Sequence, residues 1–133
     1  MTHHKVEVLK DNGTVEQLII KLLNTPFSVE LSVDGKVFRG EADDYFFALV
    51  DLRLKLEKHN IKLLCKGSAL DVYPSRMTLQ MSDGRQAYKL TLGKQAFDWD
   101  LVDIFSPLEN DKASTVQEQK EYYKRWRDSL RIA

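Results

Sequence analysis

The chain has 133 residues, of which 43% are hydrophobic and 30% charged, with 20 Lys and Arg balancing 20 Asp and Glu. That length suits one compact domain with a core needing neither metal nor disulfide, and the composition excludes a disordered chain. One cysteine rules out an intrachain disulfide framework and points to a cytoplasmic location, and no apolar run reaches the roughly 20 residues of a membrane span.

Residues 4–10 alternate, with Val6 and Val8 on one side, and stop at Asp11-Asn12-Gly13: a strand into a turn. Thr14 and Gln17 fit a capping box, and Val15, Leu18, Ile19 and Leu22 follow at helical spacing. The pattern predicts a short helix over 15–23, closed by Pro26. "FSVELSV" and "KVFRGEA" flank Asp34-Gly35, a strong two-residue hairpin signal. Asp43 or Asp44 then caps a helix running to about Asn60, with Tyr45, Leu49, Leu52 and Leu56 as its stripe, widened by Phe46, Val50 and Leu54.

"IKLLC" reads as a strand ending at Cys65. Two alternating runs around Asp83-Gly84 predict a hairpin over 71–94, with Leu79 facing Tyr88 and Met77 facing Leu90. "DWDLVDIF" reads as a further strand closed by Pro107. Ser114 with Gln117, or Thr115 with Glu118, caps a last helix striped by Val116, Tyr123, Trp126 and Leu130. The expected fold is α+β: a mostly antiparallel sheet built from hairpins, with about three helices packed on it. The whole chain, 1–133, reads as one domain, and residues 1–40 as a variable N-terminal β-α-β addition to it.

Charge is unevenly placed. Residues 1–52 carry 5 basic and 9 acidic side chains, residues 53–94 carry 9 basic and 3 acidic, and 112–133 carry 6 basic and 3 acidic. Between them, residues 95–111 hold no Lys or Arg but five acids: Asp98, Asp100, Asp103, Glu109 and Asp111. Two surfaces follow. The hairpin would set Arg76 beside Lys89, with Arg85 at the tip and Lys94 past the strand, a constellation suited to a small anion or nucleic acid. Its plain alternative is the wet face that any one-sided antiparallel sheet presents. The acidic stretch, aided by Trp99, would suit a basic protein partner. For Trp99 the competing reading is core packing against the last helix, the commoner fate of a tryptophan.

Catalytic chemistry has little footing. His3 and His4 sit near the terminus, and His59 at a helix end reads as a capping cation. None has metal-ligand spacing to a carboxylate or cysteine, so neither a metal nor another cofactor is expected. Cys65 has no local base and reads as a small buried hydrophobe. On a strand, Asp98 and Asp100 would share one face and Asp103 the other, so the three would not converge.

The segments "VYPSRM" (72–77), "AYKL" (87–90), "GK" (93–94), "LVDIF" (101–105) and the tail "EQKEYYKRWRDSL" resemble a group of small uncharacterised bacterial proteins. The resemblance spans residues 60–130, implies a bacterial origin, and assigns no catalytic residue. By analogy of size alone, many such free-standing bacterial domains are immunity proteins that bind and block a toxin. The expectation is therefore a non-enzymatic, protein-binding domain acting through Asp98, Trp99, Asp100, Asp103, Glu109 and Asp111, with no membrane role. The alternative is anion or nucleic-acid binding through Arg76, Arg85, Lys89 and Lys94.

Overall fold

The computed structural model describes residues 2–24 and 26–131. Strands β1 (Thr2–Leu9), β2 (Val15–Asn24), β3 (Phe27–Val33) and β4 (Lys36–Glu41) run as an antiparallel meander, and β5 (Lys62–Leu63) returns beside β1. Period-two alternation sends Val6, Val8, Ile20, Leu22, Val29, Leu31 and Val33 to one face, where all are buried. Lys5, Glu7, Gln17 and Lys21 take the exposed face. The β3–β4 turn has Asp34 and Gly35 at φ of 50° and 81°, the left-handed pair that matches strand twist.

Helix α1 (Tyr45–Glu57) covers the dry face with Phe46, Leu49, Leu52 and Leu56. Burying each such side chain stabilises the fold by roughly 1.5–3 kcal/mol. Gly40 sets how closely the helix approaches: a Cβ there would press on the Ala48 carbonyl and come within 2.5 Å of the Leu52 nitrogen. The solvent side of α1 also shields the sheet. The Asp51 carboxylate accepts from the Glu41 N–H at 3.0 Å, and the Lys55 ammonium donates to the Arg39 carbonyl at 2.6 Å. Two outward-facing backbone groups of edge strand β4 are thus occupied, which discourages another strand from pairing there.

The helix expected over 15–23 is a strand. "VEQLIIKLL" satisfies both periods, but Leu18, Ile20 and Leu22 lie on the sheet's inner face and Ile19 is 48% exposed. Pairing decides the matter: β2 is hydrogen-bonded to β1 from Val15 to Leu22 and to β3 from Ile20 to Asn24. Of the anticipated cap residues, Thr14 instead closes the turn, where Asn12 Oδ1 accepts from Thr14 N at 3.0 Å, and Gln17 pairs with Glu7 inside the sheet. The described part of residues 1–40 is therefore not β-α-β; it supplies three strands and most of a fourth in the five-stranded sheet.

The second half departs further from its pattern. The predicted 71–94 hairpin is replaced by strand β6 (Val72–Tyr73), helix α2 (Arg76–Ser82) and strand β7 (Gln86–Lys89). Ser75 is the cause: its hydroxyl accepts from Thr78 N at 3.1 Å, while Ser75 N donates to Thr78 Oγ1 at 2.9 Å. Asp83-Gly84 then ends the helix in left-handed backbone instead of turning a hairpin. Tyr88 pairs with Tyr73, not Leu79, and β8 (Leu101–Asp103) completes a three-stranded sheet in the order β6-β7-β8. Gly84 also joins the halves, since a Cβ there would sit 2.8 Å from Asp44 Oδ1 at the head of α1.

Helix α3 (Val116–Ser129) starts at Thr115, whose hydroxyl accepts from Glu118 N at 3.1 Å. Of its predicted stripe, Val116, Tyr123 and Trp126 are half-buried and Leu130 is exposed. The fully buried residue is Gln119. Its amide nitrogen lies 2.9, 2.8 and 2.9 Å from the carbonyl oxygens of Gly67, Ala69 and Val72. Its oxygen accepts from Arg53 at 2.6 Å, and Arg53, 3% exposed, also reaches the carbonyls of Gly67 and Ser114. No helix among the described residues is long and apolar enough to cross a membrane.

Candidate functional site

The most exposed large aromatic side chain is Trp99, at 79%. It stands in a 3-10 turn (Asp98–Asp100) that precedes β8, and its ring stacks on Phe97 with centroids 4.6 Å apart. The expected continuous strand over 98–105 is thereby shortened to Leu101–Asp103. Two hydrogen bonds close the turn: Phe97 N to Asp100 Oδ2 at 2.9 Å and Asp100 N to the Phe97 carbonyl at 2.8 Å. Trp99 consequently does not pack on the last helix. It lines a surface cleft of about 480 Å³ with Thr91, Lys94, Gln95, Phe97 and Asp100.

That loop is anchored from behind by α3. The Trp126 indole donates to the Lys94 carbonyl at 2.9 Å, and Gly93 N donates to Ser129 Oγ at 2.8 Å. Trp126 belongs to an aromatic row in which Tyr123 lies 4.1 Å from Tyr73 and 6.0 Å from Trp126, centroid to centroid. Lys94, which lines the Trp99 cleft, is thus held to α3 through its backbone.

The other acids lie apart from it. Asp103 ends β8, where its Oδ1 accepts from Phe105 N at 2.9 Å. Beside it, His4 is in strand β1, stacks on Phe105 at 5.2 Å, and accepts from an Arg85 guanidinium nitrogen at 2.8 Å through Nε2. Burial, then the Arg85 charge, holds the His4 imidazole below its ordinary value, partly opposed by Asp103. Glu109 precedes the Asn110–Lys112 turn, which carries Asp111 to a second cleft, of about 580 Å³. Structure therefore joins Asp98, Trp99 and Asp100, and separates Asp103, Glu109 and Asp111 from them.

The basic set is dispersed as well, because the hairpin meant to gather it does not exist. Arg76 starts α2, Arg85 is turned to His4, Lys89 opens onto the 580 Å³ cleft and Lys94 onto the Trp99 cleft. His59 is not the helix cap: Lys58 holds that position, and His59 stands edge-on to Phe38 with Nε2 3.3 Å from Lys36 Nζ. Cys65 is fully buried, and that burial pushes its thiol up, against the smaller opposing effects of Ser68 and Arg53. A thiol so placed is a poor nucleophile. Among the described residues no three His, Cys, Asp or Glu side chains converge as a metal site.

Sequence reasoning passed over Arg53 and Gln119. Both carried a signal: each is a polar residue on the inward stripe of its helix, Arg53 among Leu49, Leu52 and Leu56, and Gln119 between Val116 and Tyr123. Comparison with known proteins adds no relationship: no family model matches the chain, and no curated protein matches it.

Proposed function

We propose that this chain is a bacterial, non-enzymatic protein-binding domain whose Phe97–Trp99 turn docks on a partner, with toxin neutralisation as the sharpest case. The observation that supports it is an exposed tryptophan, stacked on a second ring and flanked by two carboxylates, on a turn locked by its own hydrogen bonds. Tryptophans anchor interfaces out of proportion to their number, and a turn already ordered loses little entropy on docking. Asp98 and Asp100 would speed encounter with a basic surface, such as the cleft of a nuclease toxin.

The test is association of the purified chain with the protein encoded beside it, followed by surface plasmon resonance. Trp99→Ala raises Kd by about tenfold or more. Asp98→Lys, at an exposed carboxylate in the turn, slows association most at low salt, with little change in melting temperature. Unaltered binding by both variants overturns the reading.

A further inference from the structure

The 580 Å³ cleft lies between helix α3, the β6-β7-β8 sheet and two loops joined by the Cys65–Pro107 and Ala69–Ala113 bridges. Its floor is apolar: Leu70, 39% exposed, with half-buried Val102 and Leu108. Lys66, Lys89 and Lys112 reach it from three separate segments. Asp71, Asp111 and Glu118 line it too, so one residue from each of the two predicted surfaces, Lys89 and Asp111, meets the other here.

These charges do not neutralise one another directly. The ion pairs among the described residues lie elsewhere, around Lys10, Arg39 and Lys55. Glu118 is committed to its helix cap through Thr115 N at 2.8 Å. Asp71 is not; its backbone carbonyl accepts from Leu90 N, and its carboxylate faces the α3 wall, where its charge adds to burial in pushing the Tyr122 phenol up. The Tyr122 hydroxyl is only loosely held, 3.5 Å from the Leu90 carbonyl.

A simple anion entering this space would meet three carboxylates, and a purely apolar molecule would cover half-buried Lys66 and Asp71 without giving either a partner. A molecule carrying both charges meets neither obstacle. We propose that the cleft binds a small zwitterion with an apolar side chain, an amino acid or short peptide with free termini. Its carboxylate lies toward Lys66 and Lys112, its ammonium toward Asp71, and its side chain on Leu70, Val102 and Leu108. The cleft's volume falls within the range usual for small-ligand sites, roughly 300–1,000 Å³.

The experiment is a ¹⁵N-correlation NMR titration of the full chain with three probes: L-leucine, L-leucyl-L-leucine and N-acetyl-L-leucinamide. The expected result is saturable shifts confined to residues 66–72, 89, 102, 108–114 and 118–122 for the zwitterions, with the uncharged probe about tenfold weaker. Leucine binding more tightly than the dipeptide identifies an amino-acid site, and the reverse a peptide site; either supports the proposal. Asp71→Asn weakens the zwitterions about tenfold and leaves N-acetyl-L-leucinamide unchanged. Lys112→Ala, at an exposed position, weakens them without loss of fold. Equal binding of all three probes, or no saturable shift below about 20 mM, overturns it.

Discussion

Helices α1 and α3 differ little in length but are held by opposite means. Six of the seven buried residues of α1 are apolar or aromatic, and they press on a sheet face built of Val, Ile and Leu. In α3 the buried residue is an amide, whose two protons are shared among three backbone carbonyls and whose oxygen meets a buried guanidinium. Apolar contact is non-directional and survives small shifts. A buried hydrogen-bond knot has one arrangement, and any partner lost leaves others unpaired in a dry place. The first half of the chain is thus fastened by area, and the last helix by geometry.

Three experiments would break or sharpen that contrast. Phe46→Ala, which empties a site only 1% exposed, should cost about 3–5 kcal/mol and lower the whole unfolding transition in denaturant. Gln119→Leu keeps comparable volume but takes one partner from Arg53, which retains the Gly67 and Ser114 carbonyls, and one donor from each of three carbonyls, for about 1–3 kcal/mol. Its effect should be local: amide exchange in 116–129 speeds up while β1–β4 and α1 stay protected. Uniform acceleration across the chain would show that the knot belongs to the global core.

The smallest effect is expected from pH, at a third kind of joint. His4 ties β1 to Arg85 and Phe105, and its folded-state value lies below that of the free imidazole, chiefly through burial. The folded chain therefore prefers neutral His4. That stability is present above the unfolded value of about 6.5 and is lost as pH falls through it toward the folded value. Melting temperature should begin to drop as pH falls through about 6.5, and His4→Gln should flatten that part of the profile. An identical profile in the variant would place the dependence on other groups.

Much of the fold was legible where one signal spoke alone. Asp34-Gly35 between two alternating runs gave the β3–β4 hairpin; Asp43 or Asp44, and Ser114 or Thr115, bracketed the starts of α1 and α3, and the structure selects Asp44 and Thr115. Misreadings arose where two periods coexisted. "VEQLIIKLL" served helix and strand alike, and "MTLQM" alternated like a strand while Ser75 and Thr78 formed a cap. Of the candidate sites, the Asp98–Trp99–Asp100 turn survives as a local unit because neighbours in sequence stay neighbours in space. Asp111 and Lys89 share a cleft that no local pattern could announce.

By itself the amino-acid order determined the fold class, the dry face of β3, the starts of α1 and α3 to within a residue, and the segregation of charge along the chain. These depend on contacts between residues a few positions apart. Tertiary structure alone decided that 15–24 is a strand, that Trp99 faces outward, and that Arg53 and Gln119 meet across 66 positions. Such outcomes turn on which distant groups are brought together to bury area and satisfy hydrogen bonds, an energy shared between segments and belonging to neither.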